Sequence, residues 1–513
     1  MQPGNPDGQA LTDPESEQER RGASRKIGIV GLLLGFLLFA ATLVWPPPDG
    51  MSPEAWRVAG LGLLMATWWI TEAIPIPATA LLPIPALPLL GVTTIEGATA
   101  PFANPVIFLF MGGFMLAQAM QRWTLHRRMA YGIIMGTGTA PFRLIAGFML
   151  ASAFLSMWVS NTAVAVMMLP VGLSVIQVVG GGLIEEGRPP GDPAFAVALL
   201  LGIAYGASIG GAATLIGTPP NALLAGYLLD QYGLEIGFAQ WMVIGVPLSL
   251  ILLPIAWGLL TRVSFHVDPE GPELAPDDLE GMKESLGAMS SGERRVAWVF
   301  GATAAAWIFR PLLQGLIPGL SDAGIAIAAS LLLFVLPAGG AARAKLLNWD
   351  WARRIPWDIL ILFGGGLSLA AAITSSGLAG WIGTELHAAG RLPLLGLVTV
   401  TCILLVLLTE LTSNTASAAA FLPILAGLAV ALGEDPLFLL VPATLAASCA
   451  FMLPVATPPN AIVFGSTFIR IGHMVRAGVL LNLTVIALIP LLTFLLLRLF
   501  FGAVPGTLPT WVG

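Results

Sequence analysis

Long apolar stretches alternate with short polar ones along nearly the whole chain. Runs such as Ile27–Trp45, Trp298–Leu316 (interrupted by Arg310) and Val479–Leu497 are long enough to cross a hydrocarbon layer of about 30 Å as helices. The pattern predicts spans near 27–45, 55–73, 77–92, 105–121, 194–229, 239–261, 295–313, 321–338, 357–375, 436–469 and 477–500. Two further apolar stretches, 142–177 and 393–432, each hold the tripeptide Ser-Asn-Thr near the middle, at Ser160–Thr162 and Ser413–Thr415. Residues 1–25, rich in Pro, Gly, Glu and Gln, read as a disordered cytoplasmic tail. The longest polar loop, 262–294, separates an N-terminal half (26–261) from a C-terminal half (295–513).

Composition sharpens the class. The 513 residues are 56% hydrophobic and only 10% charged, whereas a soluble domain carries about 25% charged residues. The expected fold is therefore an all-α polytopic membrane protein with about 11 transmembrane helices, and its main surroundings are the lipid bilayer. The first apolar run has no clear cleavage motif and reads as a retained span rather than a leader. Cys402 and Cys449 lie inside apolar segments, as small buried side chains do, and suggest neither a disulfide nor a metal pair. His126, His266, His387 and His473 show no ligand spacing and read as solvated or interfacial, and no basic patch with interleaved aromatics suggests nucleic acid.

Orientation follows from Lys and Arg in short loops. Clusters at Arg20–Lys26, Arg122–Arg128, Arg262–Arg295, Arg343–Arg354 and Arg470–Arg476 share one side if the N-terminus is cytoplasmic. The opposite loops, Pro46–Ser52, Thr93–Asn104 and Gly433–Asp435, carry neither residue. Eleven spans then leave the C-terminus outside a plasma (inner) membrane.

The chain also repeats itself. Phe110–Ala117 (FMGGFMLA) resembles Phe363–Ala370 (FGGGLSLA), and the two Ser-Asn-Thr copies share that offset (413 − 160 = 253). Thr218-Pro219-Pro220-Asn221 returns as Thr457-Pro458-Pro459-Asn460 at a shorter one (457 − 218 = 239), the longer loop near Gly180–Asp192 taking up most of the difference. The predicted topology runs the two copies in opposite directions. Inverted repeats with interrupted apolar segments at matching places point to a secondary transporter with a midplane site.

The interruptions suggest the chemistry. Neither Ser-Asn-Thr has a charged neighbour within two residues, so each fits the tip of a re-entrant hairpin better than an external turn. Backbone can leave the helix at that depth only where it lines a cavity or is buried in protein. Ser and Asn cap helix N-termini well, so each tip opens its second helix with a positive dipole end. At the Thr-Pro-Pro-Asn breaks, 217–221 and 456–460, the prolines stop the helix and free the carbonyls of Gly217 and Ala456. Such oxygens suit Na⁺, while the Thr218 and Thr457 hydroxyls, with helices restarting at Pro219 and Pro458, suit an anion. No Arg or Lys lies inside the breaks, so an anion there depends on hydroxyls, amides, helix ends and co-bound cations. Glu410, four residues before Asn414, either bonds structurally or tunes a cation site; Glu72 and Asp358 read as interfacial anchors.

At these residues the chain resembles the divalent anion/sodium symporter family, from about residue 27 onward. The segments ATWWITEAIPIPATALLPIPALPLLG and Ala447–Val463 (ASCAFMLPVATPPNAIV) are similar to its early spans and signature stretch. The resemblance implies that Ser160, Asn161, Thr162, Ser413, Asn414 and Thr415 hold the anion, with Thr218, Pro219, Thr457 and Pro458. It implies one Na⁺ site at Ser156, Ser160, Asn161 and Gly217, and a second at Thr409, Thr412, Asn414 and Ala456. It further implies a homodimer with a fixed scaffold and an elevator transport domain, and sodium-coupled symport of C4-dicarboxylates such as succinate, malate and fumarate. A sodium-independent exchanger, or a citrate or sulfate symporter, fits the same fold. A channel would use the same breaks as a pore lining. No HExxH, paired aspartates or Ser/His arrangement at membrane depth suggests an enzyme.

Overall fold

A computed structural model describes residues 14–181, 191–271, 286–339, 344–388 and 392–512, with scattered positions between 273 and 284. Its named elements are all helices. The long ones are α1 Pro14–Val44, α2 Pro53–Thr71, α3 Pro105–Arg122, α4 Leu125–Thr137, α5 Pro141–Ser156 and α6 Asn161–Gly180. They continue as α7 Pro193–Gly211, α8 Pro219–Tyr232, α9 Phe238–Gly258, α10 Ser291–Ile308, α11 Asp322–Val335 and α12 Trp357–Ser375. The chain ends with α13 Leu378–Ala388, α14 Leu394–Thr409, α15 Asn414–Ala431, α16 Leu437–Ala447, α17 Pro458–Phe464 and α18 Ile471–Phe500. Among the described residues, eight helices are long and apolar enough to cross a membrane. Several begin at a proline in the first turn, where the missing N–H costs nothing and φ is already helical.

The structure departs from the hydropathy reading in places that local chemistry explains. The first helix starts at Pro14, so residues 14–25, expected in the tail, extend it; Glu, Gln and Arg are good helix formers. Residues 1–13 lie outside the described residues. The expected span 77–92 is two short helices, Ile76–Thr79 and Pro83–Leu89, because Pro75, Pro77, Pro83, Pro85 and Pro88 deny it a continuous ladder. The loop drawn to 294 ends at Ser290, whose hydroxyl and Glu293 form a capping box that starts α10. Two helices escaped the hydropathy reading, α4 and α13, because each mixes polar with apolar residues. His126 on α4 is buried, its Nδ1 bonded to the Met120 carbonyl at 3.0 Å, rather than solvated. Cys402 and Cys449 are buried free thiols, and the expected hairpins 142–177 and 393–432 are α5–α6 and α14–α15.

The repeat is legible in the helix starts. The offset of 253 carries the first residues of α4, α5 and α6 onto those of α13, α14 and α15; the offset of 239 carries that of α8 onto that of α17. Packing interleaves the halves: α5 lies on α7, α6 and α7 on α17, α8 on α15, and α14, α16 and α18 on one another. A second set joins α3, α10 and α11, with α2 against α12 and α1.

The turn between α8 and α9 meets the second set through a buried polar knot. Asp322 pairs with Arg310, its Oδ1 3.1 Å from the guanidinium Nε, and its Oδ2 accepts the Phe238 N–H at 2.7 Å; Arg310 also pairs with Glu235. Beside it the rings of Trp158, Phe238 and Trp307 stack in sequence, with centroids 5.8 Å and 4.8 Å apart, and the Trp307 indole N–H donates to the Asp322 carbonyl. Removing one member of a buried ion pair strands the other. We expect Asp322→Ala to cost about 3–5 kcal/mol, read as a lowered melting temperature in detergent, with Arg310→Met added to it restoring part of the loss.

Candidate functional site

Both Ser-Asn-Thr tips and both Thr-Pro-Pro-Asn breaks line a single cavity of about 720 Å³. Each tip is a helix start. Ser160 caps α6, its Oγ accepting the Ala163 N–H at 3.4 Å, and Ser413 caps α15 through the Ala416 N–H at 3.5 Å. Asn161 and Asn414 are the first helical residues, with Thr162 and Thr415 next, so the free N–H groups of both first turns belong to the tripeptides. Across from them Thr218 caps α8 and Thr457 caps α17, the latter accepting the Asn460 N–H at 3.3 Å. All ten residues assigned above to the anion lie on this wall: Ser160, Asn161, Thr162, Thr218, Pro219, Ser413, Asn414, Thr415, Thr457 and Pro458.

Of the residues assigned to Na⁺, Ser160, Asn161, Gly217, Thr412, Asn414 and Ala456 line the cavity; Ser156 and Thr409 sit behind it, fully buried. In the first set the Ser156 hydroxyl donates to Asn161 Oδ1. Two glycines allow this closeness. A Cβ on Gly211 would lie 2.3 Å from Asn161 Oδ1, and one on Gly217 would lie 2.3 Å from the Gly211 carbonyl. The second set has Ala450 and Ala456 at the equivalent places. Its Thr409 turns its hydroxyl back to the Leu405 carbonyl at 2.8 Å, as threonine in a helix readily does, and Thr412 bonds Ser417 at 2.7 Å. Asn414 Oδ1 is left buried with no partner. An acceptor stranded there costs free energy that a small hard cation would offset. The donors at both places are neutral oxygens, and among the described residues no cluster of three His, Cys, Asp or Glu could hold a metal ion.

Sequence reasoning misplaced some residues and passed over others. Glu72 and Asp358, read as interfacial anchors, stand on the cavity wall with Gln118, Gln121 and Arg354. Arg354 is the basic residue of the lining, its guanidinium 4.5 Å over the Trp351 ring. Glu72 ends α2 in the left-handed region (φ 46°), uncommon for a side chain of its size. Hydropathy could not place these groups, because span ends look alike whether they meet lipid headgroups or a cavity mouth.

Glu410 is settled by its bonds. Its carboxylate accepts the N–H groups of Phe451 (2.7 Å), Met452 (2.9 and 3.1 Å) and Leu453 (2.9 Å), and the Asn482 amide at 2.7 Å. It thereby satisfies the non-helical stretch between α16 and α17. In the first half the side-chain bonds around the matching loop run to carbonyls instead. Thr214 donates its hydroxyl to the Met157 carbonyl at 2.5 Å, and Trp241 its indole N–H to the Ala212 carbonyl at 3.0 Å.

Paired helix tips and broken helices around one polar cavity in an apolar bundle define a membrane transporter. The chain belongs to the sodium:sulfate symporter family, whose transmembrane-region profile matches residues 26–501. It is 44% identical over 483 residues to the sodium-dependent dicarboxylate transporter SdcS of Staphylococcus saprophyticus, covering 93% of each chain. It is 43% identical over 482 residues to SdcS of Staphylococcus aureus strain bovine RF122, covering 92% of each. Among solved structures it shares the fold of the Alcanivorax borkumensis YdaH transporter, with a TM-score of 0.58, 16% identity, and coverage of 88% of this chain and 98% of that one. The Neisseria gonorrhoeae efflux pump MtrF follows with a TM-score of 0.51, 15% identity, and coverage of 92% and 94%.

Replacing Glu410 removes the one acceptor common to four donors, and Gln would aim an amide N–H₂ at backbone N–H groups. Glu410→Gln should therefore destabilise the purified protein by about 2–3 kcal/mol, measured by thermal melting. Melting unchanged from the parent would show that these bonds do not hold the loop.

Proposed function

We propose that the protein is a sodium-coupled symporter of C4-dicarboxylates such as succinate, malate and fumarate. One observation carries this reading: two Ser-Asn-Thr tips and two proline breaks share one cavity. The names of the relatives at 43–44% identity, sodium-dependent dicarboxylate transporters, support the substrate and the ion.

In this reading the substrate's two carboxylates meet the free N–H groups of α6 and α15 and the Thr162, Thr415, Thr218 and Thr457 hydroxyls. One Na⁺ takes oxygens of Ser156, Ser160, Asn161 and Gly217; the other those of Thr409, Thr412, Asn414 and Ala456. The carboxylates find no Arg or Lys at the tips, so the cations supply the neutralising charge. A carrier without a fixed buried cation avoids the cost of returning one across the membrane empty. Coupling then follows from electrostatics: an anion without its sodium ions is bound poorly.

The positive-inside pattern supports a cytoplasmic N-terminus, an external C-terminus and a plasma-membrane location. Under that orientation the cavity opens inward, toward Arg354 and the cytoplasmic Arg clusters, while the Trp158, Phe238 and Trp307 stack and the Arg310 knot close the outer side. We assign α5–α9 and α14–α18 to a moving transport domain and the remainder to a fixed scaffold, assembled as a homodimer, with residues 262–294 as the cytoplasmic link between halves.

Uptake of labelled succinate into proteoliposomes should require an inward Na⁺ gradient and be competed by malate and fumarate more strongly than by sulfate. Equal uptake with K⁺ in place of Na⁺ would sink sodium coupling, and preferential competition by sulfate or citrate would reassign the substrate. Asn161→Ala and Asn414→Ala should each raise the half-saturating concentrations of Na⁺ and succinate together, by about tenfold, as expected when a buried ligand bond is lost. A change in succinate affinity alone would remove these residues from the sodium sites.

A further inference from the structure

Each proline break ends in a residue that neither the anion nor the cation assignment uses. Asn221 and Asn460 follow the paired prolines, and both are completely buried (0% exposed). The Asn221 amide donates to the carbonyls of Ala212 at 3.2 Å and Thr214 at 2.8 Å. The Asn460 amide donates to those of Ala450 at 3.4 Å and Leu453 at 3.1 Å. Thr214 and Leu453 are equivalent under the repeat, since 453 − 214 equals the spacing of the two asparagines (460 − 221 = 239). The same clamp has thus been made in both halves. In each, a side chain from the restarted helix reaches back across the non-helical loop that carries Gly217 or Ala456.

The other end of each amide is more telling. Asn221 Oδ1 and Asn460 Oδ1 are both buried and both lack a hydrogen-bond partner. An asparagine kept only to fill space would be better replaced by leucine, because a stranded buried acceptor is costly. Here that cost recurs at equivalent positions, next to the carbonyls assigned to the cations. Flanking residues do not explain it. Glu410 accepts the N–H groups of 451–453 and the Asn482 amide, and Thr214 and Trp241 donate to the Met157 and Ala212 carbonyls, so none of them duplicates the clamp on the Thr214 and Leu453 carbonyls.

We propose that Asn221 and Asn460 are positioning residues for the two sodium sites. Each fixes the curvature of its loop so that the Gly217 or Ala456 carbonyl faces the ion. The inference rests on the sodium reading above. A cation site tolerates errors of only about 0.5 Å in its ligands. The loop has no helical ladder to supply that precision, so the amide clamp supplies it. Neither asparagine touches the dicarboxylate in this account; they act on it only through the ions.

The test is sodium-induced thermal stabilisation of the purified full-length protein in detergent, with choline as the balancing cation and no dicarboxylate present. A ligand that binds only the folded state raises stability with its concentration, so the melting curve reports sodium affinity directly. Asn221→Ala and Asn460→Ala should each shift the half-saturating Na⁺ concentration up by about three- to tenfold, the equivalent of losing one or two hydrogen bonds. Asn221→Ser and Asn460→Ser, which retain a donor and fold if the alanine variants do not, should fall between parent and alanine. Succinate half-saturation, measured at saturating Na⁺, should stay within about twofold of the parent, the size of a surface-like perturbation. Folded variants with the parent's sodium response would overturn the inference alone. So would a shift in succinate affinity at unchanged sodium affinity, which would make the asparagines substrate ligands. A parent protein that choline and sodium stabilise equally would instead overturn the sodium reading itself.

Discussion

A bilayer core offers no water to backbone N–H and C=O groups, so every break in a helix must be closed by protein. The rest of this molecule follows from that constraint. Four helices begin at the cavity, and four sets of free N–H groups and two sets of freed carbonyls would be intolerable in lipid. Side chains take up much of this demand: Ser160, Ser413 and Thr457 at the caps, Asn221 and Asn460 across the loops, Glu410 and Asn482 behind the second break. Part of what remains unclosed, at the two Ser-Asn-Thr tips, faces the cavity.

The two halves meet the same demand with different side chains, and the differences track single residues. Gly211 and Gly217 let Asn161 press against the first loop, where the Ser156 hydroxyl reaches its Oδ1. In the second half alanine stands at 450 and 456, Thr409 bonds its own helix, and Asn414 Oδ1 stays free. The second loop gives its N–H groups to the Glu410 carboxylate; at the first, the Thr214 hydroxyl donates to the Met157 carbonyl and the Trp241 indole to the Ala212 carbonyl. A carboxyl group behind only one of the two breaks makes the proposed cation places inequivalent. Duplication set out the site, and divergence gave its halves separate electrostatics.

Much of this was legible in the sequence because the strongest signals are those of backbone interruption. Paired prolines and polar tripeptides in apolar runs mark breaks whatever surrounds them, and the repeat offsets bring them into register. The tail boundary, the Pro-rich segment 76–89 and the amphipathic helices α4 and α13 were not legible from hydropathy, because it averages over residues whose helix propensity or proline placement decides the outcome. The roles of Glu72, Asp358 and Arg354 escaped for another reason. A charge at a span end has the same local sequence whether tertiary packing turns it toward headgroups or into a vestibule. Glu410 could be flagged but not assigned, since its donors lie 41 to 72 residues away.

The aromatic stack beside the Arg310–Asp322 pair shows how the first tip is tied to the second set of helices. Trp158 stands two residues before the first tip, and its ring stacks on Phe238, which stacks on Trp307 of α10. Phe238 also gives its N–H to Asp322, the residue that holds Arg310. Ring stacking is worth about 0.5–1.5 kcal/mol per pair, and the desolvated ion pair adds little net stability while being expensive to break on one side only. Such a contact favours two states, fully made or fully parted, over intermediate ones. A carrier that must expose one cavity to two sides in turn needs that behaviour at the boundary between its parts. The tip that would hold the anion is joined directly to the contact that would have to open.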